Sequence, residues 1–296
     1  MMLLIAICAL GRRAWGGGDD DSGDNGGGGG NNSSPSETNY PNPDVVADVD
    51  LAAGQRDFNT TRFVDLRSPE DYAAAHIVGA VNADPARFGY GTNALPDKGA
   101  VEAVLREWGV SSDTTIILYD TETSDVTTWV FWVLDTYGQS VRLLNGGFIA
   151  WLNGDLSLVL DVPQISPSSY SLPNANGNRV ADADWVNQHR GDSGVVVLDA
   201  REPEVYQGVG HIQGATNITG DLAYANGAVR ESIEIENLFD DGAVNNASTI
   251  VVYDTDGTLG SLSYYVLRVL GKTVRLYAGG WTEWSSRGLP TATGVE

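Results

Sequence analysis

Cysteine is almost missing from this 296-residue chain: Cys8 is the single one. No intrachain disulfide can form, no cysteine-based metal cluster can be built, and every segment beyond residue 8 must do without a thiol nucleophile. Positive charge is the second shortage. Only 17 Lys and Arg stand against 39 Asp and Glu, for a formal net charge of -22. Gripping a DNA or RNA backbone needs many cations, so nucleic acid is excluded as a partner class. With 3 His and no clustered ligands, neither a metal site nor a cofactor is expected. What the chain does have is apolar material, 42% hydrophobic residues with eight Trp, enough for two domains of ordinary size.

The chain opens on a short apolar run from Leu3 to Leu10, too short to span a bilayer but of signal-peptide length. Arg12 and Arg13 follow the run. From Gly16 to Ser34 the residues are nearly all Gly, Asp, Asn and Ser, a composition that cannot bury enough surface to fold. The run Asp19-Asp20-Asp21 reads as solvated charge on this tether and not as a metal site. An apolar run with a cysteine, then a tether, resembles the start of a bacterial lipoprotein. The bulky Ile7 before Cys8 departs from that pattern. The resemblance implies export, to the periplasm or to a membrane anchor, with Cys8 the candidate for lipidation and residues 1–44 a signal-like segment and tether.

From residue 46 the chain repeats itself. Val46-Ala-Asp-Val-Asp-Leu51 aligns with Val180-Ala-Asp-Ala-Asp-Trp185. At the same offset Arg56, Asp65, Arg67, Pro69, Glu70 and Tyr72 meet Arg190, Asp199, Arg201, Pro203, Glu204 and Tyr206. His76-Ile-Val-Gly-Ala80 and Asn82 meet His211-Ile-Gln-Gly-Ala215 and Asn217, and Tyr119-Asp120 meets Tyr253-Asp254. Gly146, Gly147 and Trp151 meet Gly279, Gly280 and Trp284. So long a period means duplicated domains, placed at 45–154 and 180–296. Between them, 155–179 holds Pro163, Pro167 and Pro173 and reads as an extended linker.

Within each copy, apolar runs such as Thr115 to Tyr119 and Ile250 to Tyr253 read as buried strands. Ser68-Pro69-Glu70-Asp71 has a cap, a first-turn proline and first-turn acids, which together start a helix. The periodicity predicts further helices over 98–109, 126–137 and 231–238. Alternating strands and helices predict an α/β fold, a mainly parallel sheet with helices on both faces in each copy. The loops at the carboxyl ends of the strands, 120–125 and 254–260, face a crevice and offer N–H groups that favour an anion.

The ordered set Asp-x-Arg-x-Pro-Glu-x-Tyr, His-Ile-x-Gly-Ala-x-Asn, strand-Tyr-loop-helix and Gly-Gly-x-x-x-Trp resembles the rhodanese domain, here twice. Two-domain thiosulfate and 3-mercaptopyruvate sulfurtransferases share this layout. The resemblance implies a cysteine at the first loop position, carrying sulfur as a persulfide within a ring of backbone N–H groups. Asp120 and Asp254 stand at that position here, so persulfide chemistry is expected to be absent and no catalytic residue is expected. The loop equivalents are Asp120, Thr121, Glu122, Thr123, Ser124 and Asp125 in the first copy. In the second they are Asp254, Thr255, Asp256, Gly257, Thr258, Leu259 and Gly260. The Asp254 carboxylate can accept the loop N–H groups and fill the anion site itself.

Arg67 and Arg201 are candidates for the crevice, with an internal ion pair to the preceding Asp as the plain alternative. His76 and His211 are read as backbone-bonding residues of their own folds, His189 as a surface residue, and Trp129, Phe131 and Trp132 as core and domain interface. Asp254-Thr-Asp256-Gly-Thr258-Leu also resembles the first motif of haloacid-dehalogenase-type phosphohydrolases, which would make Asp254 a nucleophile beside Mg²⁺. The later elements that such a fold requires do not follow. The expected function is an exported binding or interaction module taking a small anion or a protein. A sulfurtransferase with residual activity is the alternative.

Overall fold

The computed structural model describes residues 40–294 except Arg56 and Phe58. Cys8, the apolar run, residues 1–39 of the tether and the Arg56 match to Arg190 therefore lie outside the described residues.

The two copies build the same sheet. In the first, five parallel strands lie in the order Val46–Ala47, Val141–Leu144, Thr115–Tyr119, Thr61–Asp65, Val81–Asn82. In the second, Val274–Leu276, Thr249–Tyr253, Val195–Asp199 and Thr216–Asn217 repeat the last four places, again all parallel. An isolated parallel bridge from Val180 to Leu276 stands where Val46–Ala47 stands in the first copy. Each copy also closes a small antiparallel pair, His76–Ile77 with Leu158–Val159 and His211–Ile212 with Thr291–Ala292. The strand Val195–Asp199 starts directly after Gly194, whose φ of +83° lies outside the extended region.

Helix starts follow local chemistry. Ser68 Oγ accepts the Asp71 N–H before Pro69–Ala74, and the Asp182 carboxylate accepts the Trp185 N–H before Ala183–His189. Glu202 makes no side-chain cap, and Pro203 alone starts Pro203–Val209. The predicted helices are found at Lys98–Glu107, Asp125–Thr136 and Ser232–Leu238. Gly138 and Gly271, both left-handed, follow Asp125–Thr136 and Gly260–Val269. The linker is extended and tied down. Its Ser171 Oγ and Leu172 N–H both bond the Glu102 carboxylate, and its Tyr170 carbonyl accepts from Arg106 Nε.

One apolar core runs through both copies, because the helices that follow the two loops pack on each other. Phe131 meets Tyr265 edge to face at 4.9 Å, and Thr128 Oγ1 bonds Ser261 Oγ at 2.7 Å. Trp129, Phe131 and Trp132 are all fully buried. At the far end of this helix pair, Asp135 is gripped by Arg268 through two bonds of 2.9 and 3.0 Å and by the Tyr264 hydroxyl. Arg179 adds an ion pair at 3.1 Å. Removing this one carboxylate leaves two guanidinium groups facing each other with little water. Asp135→Ala is predicted to lower stability by about 3–5 kcal/mol in urea unfolding, and a loss below about 1 kcal/mol would show that the network contributes little.

Candidate functional site

The site begins with backbone geometry. The strand Thr249–Tyr253 ends at the sheet's carboxyl edge, and the chain needs six residues to turn into the helix Gly260–Val269. A glycine from the following Gly-Gly pair makes room for that turn. Gly280, at φ +58°, presses so closely that a Cβ there would lie 2.7 Å from the Asp254 and Thr255 carbonyl oxygens. This contact lets the Trp281 and Thr282 N–H groups bond those carbonyls at 2.8 and 3.0 Å. Gly147 does the same in the first copy, 2.6 Å from the Asp120 carbonyl oxygen, with Phe148 and Ile149 as donors. The second glycine of each Gly-Gly pair is thus a requirement of the loop and not of the helix it starts.

Asp254 is 1% exposed and points into its own loop. Its Oδ1 accepts the Gly257 N–H, its Oδ2 accepts the Leu259 N–H at 3.0 Å, and the Gly260 N–H is also directed at the carboxylate. The N-cap residue Leu259 has no side chain that can cap the helix Gly260–Val269; the Asp254 carboxylate takes that place from five residues upstream. Burial nevertheless dominates, and it pushes the Asp254 carboxyl up to about 6, with Asp256 adding to the rise and the three N–H bonds opposing it. Asp256 Oδ1 accepts from the Thr258 hydroxyl at 2.6 Å.

The first-copy loop is one residue shorter and differently satisfied. Asp120 is half-buried and accepts from the Thr121 N–H at 2.6 Å and the Ser124 hydroxyl at 3.0 Å. Ser124 and Thr127 form a reciprocal cap on the helix Asp125–Thr136. Asp125 accepts from the Tyr90 hydroxyl at 2.7 Å. A hairpin of the second copy, Tyr224–Ala225 with Ala228–Val229, sits on this loop. Its Gly227 carbonyl accepts the Thr123 N–H at 2.8 Å, its Val229 N–H reaches Asn145 Oδ1 at 2.9 Å, and Gly227 lies flat against the Glu122 side chain. Asn226 and Gly227 both have positive φ, as a two-residue hairpin turn requires. This covering hairpin is absent from the sequence reading, although Asn-Gly between short apolar runs is its signal.

Arg67 and Arg201 are held by the fold. Arg67 binds both Asp65 oxygens and the Ala75 carbonyl and lies 3.6 Å from the centre of the Phe148 ring. Arg201 binds the Asp199 oxygens at 2.9 and 2.6 Å and the Gly210 carbonyl, over Trp281. Arg67 is a crevice candidate that the structure places in an internal ion pair; Arg201 is paired in the same way, yet its residue also borders the cleft described next. Asn82 and Asn217 bond the carbonyls on both sides of these pairs. His76 and His211 are buried, stack on Tyr72 and Tyr206, and bond those residues' carbonyls through Nδ1. His189, half-buried at the end of its helix, stacks on Trp185 and bonds its carbonyl through Nδ1.

Beside the second loop, at the carboxyl ends of the strands, opens a cleft of about 220 Å³. Ala200, Val205, Leu259 and Leu262 give it apolar walls, Thr219, Gly220 and Thr255 complete them, and Arg201, Glu202 and Asp221 are its charged residues. A larger hollow of about 430 Å³ between Glu236, Asp240 and Lys272 touches neither loop. Among the described residues no cluster of His, Cys, Asp and Glu could hold a metal ion.

The buried carboxyl has a consequence for stability. Its folded value lies above the ordinary one, so between about pH 4 and 6 the folded state holds a proton that the unfolded state has lost, and stability falls as pH rises through that window. The difference in unfolding free energy between wild type and Asp254→Asn should therefore shift against the wild type by roughly 2 kcal/mol from pH 4 to pH 7. A pH-independent difference would contradict the burial argument.

Comparison with known proteins accords with the geometry. The Rhodanese-like domain family matches residues 48–154 and 182–287. The thiosulfate sulfurtransferase of Pseudomonas aeruginosa is 30% identical over 239 residues, covering 75% of this chain and 87% of its own. The sulfur carrier protein TtuD of Thermus thermophilus is 29% identical over 286 residues, covering 87% and 99%. The crystal structure of SseA from Escherichia coli, a 3-mercaptopyruvate sulfurtransferase, superposes with a TM-score of 0.66 at 23% identity, over 80% of this chain and 98% of that one, a likeness of fold. This chain belongs to the rhodanese-like domain family, with two copies of the domain in tandem.

Proposed function

We propose that this protein is a rhodanese-family member that forms no persulfide and works as an exported binding or interaction module. The observation that carries this reading is Asp254. A carboxylate stands where the family's sulfur-carrying loop opens, and the N–H groups that would stabilise an anionic sulfur are spent on it. A carboxylate cannot hold a sulfane sulfur, and no cysteine occurs beyond residue 8 to replace it. The alternative, a sulfurtransferase with residual activity, is supported by the names of the relatives. Phosphohydrolysis through Asp254 and Asp256 has less support, since a nucleophile that is 1% exposed and bonded at both oxygens cannot reach a phosphoryl group.

The test is thiosulfate-to-cyanide sulfur transfer. Wild type should form no thiocyanate above a heat-killed control, and Asp254→Cys should form it measurably, because the loop keeps the donors a thiolate needs. Thiocyanate from the wild type would overturn the reading. Export with a lipid on Cys8 rests on the sequence alone and predicts that the protein sediments with membranes and that Cys8→Ser releases it. Equal distribution of both forms would remove the anchor from the proposal.

A further inference from the structure

The cleft beside the second loop has a charge pattern opposite to the one expected of a site for sulfur oxyanions. Its apolar walls are Ala200, Val205, Leu259 and Leu262, and Leu259 is 54% exposed. The one cation among its residues, Arg201, is paired with Asp199, a fully buried carboxylate, and the pair is neutral as a unit. The loop N–H groups that could have met an anion are bonded to Asp254. What is left is Glu202 and Asp221, both exposed and neither in an ion pair among the described residues, with Asp256 on the same loop as Thr255. Among the residues that line the cleft, the one cation is neutralised within the fold and the charges left over are negative.

Resting on the reading of this loop as a binding site, we propose that the cleft takes a small organic cation with an apolar arm, of the alkylammonium class. The arm would lie on Val205, Leu259 and Leu262, and the ammonium would lie between Glu202 and Asp221. The volume of about 220 Å³ is below that of a drug-sized pocket and suits a free small molecule. Gly220 packs this wall closely on the helix Gly260–Val269: a Cβ there would fall 2.2 Å from Ser263 Oγ, which would have to turn away. The chain's strong acidity acts in the same direction, raising the local concentration of cations.

The experiment titrates the full-length protein, with ¹³C-labelled Val and Leu methyls, against pentyltrimethylammonium and against pentane-1-sulfonate, which share one alkyl arm. The cation should shift the methyls of Val205, Leu259 and Leu262 and bind about tenfold more tightly than the sulfonate. Its affinity should weaken as salt is added. In Glu202→Gln/Asp221→Asn, two exposed substitutions that leave the core untouched, that preference should shrink to about threefold or less. A sulfonate bound as well as the cation, shifts at other methyls only, or an undiminished preference in the double variant would each overturn the proposal. None of these outcomes bears on persulfide formation, which the thiocyanate assay reads separately.

Discussion

A chain that leaves a buried strand and turns at once into a buried helix points several backbone N–H groups at one spot, and something negative must meet them. In the second copy that something is Asp254, bonded by Gly257, Leu259 and Gly260. Much of the local structure follows from keeping this turn tight. Gly280 must lack a side chain so that the Trp281 and Thr282 N–H groups can clamp the loop from the other side. Gly257 must adopt φ +91° against Ala278 so that its N–H turns inward. The carboxylate then caps the helix that builds the interface between the copies, through Ser261 and Tyr265.

The two copies have diverged around the same frame. In the first, the loop is shorter, Asp120 is half-buried, and the hairpin 224–229 from the second copy rests on it. In the second, the loop is longer, its acid is buried, and the neighbouring cleft is open. Duplication thus gives one copy whose loop serves the interface between domains and one whose loop borders a ligand-sized space. Both keep the Asp-Arg-Asn arrangement at the strand end, where an ion pair with low exposure fixes the turn into the next helix.

Most of the fold was legible in the sequence because the repeat supplied two readings of each element. Where one copy was ambiguous, as at Glu202 without a cap, the other had Ser68. Buried parallel strands such as Thr115–Tyr119 announce themselves as apolar runs ending in Tyr-Asp. The Asp254 cradle was legible too, since a short acid after a strand and before a helix has few other partners. The hairpin on the first loop was not read, because its strands are two residues each and its purpose lies in a contact more than a hundred residues away. Arg67 and Arg201 could not be assigned by sequence alone: Asp-x-Arg is compatible with an internal pair and with a ligand contact, and only the Ala75 and Gly210 carbonyls decide in favour of the pair. The acidity of the cleft was hidden for a similar reason, as Glu202 and Asp221 come to line one cleft only in the folded chain.

The central claim is that Asp254 occupies the anion cradle of its own loop. A high-resolution crystal structure of the protein grown in thiosulfate tests it directly. The account predicts the Asp254 carboxylate between the Gly257 and Leu259 N–H groups, with no thiosulfate in the loop. Thiosulfate bound to those N–H groups, with Asp254 turned out toward solvent, would contradict it.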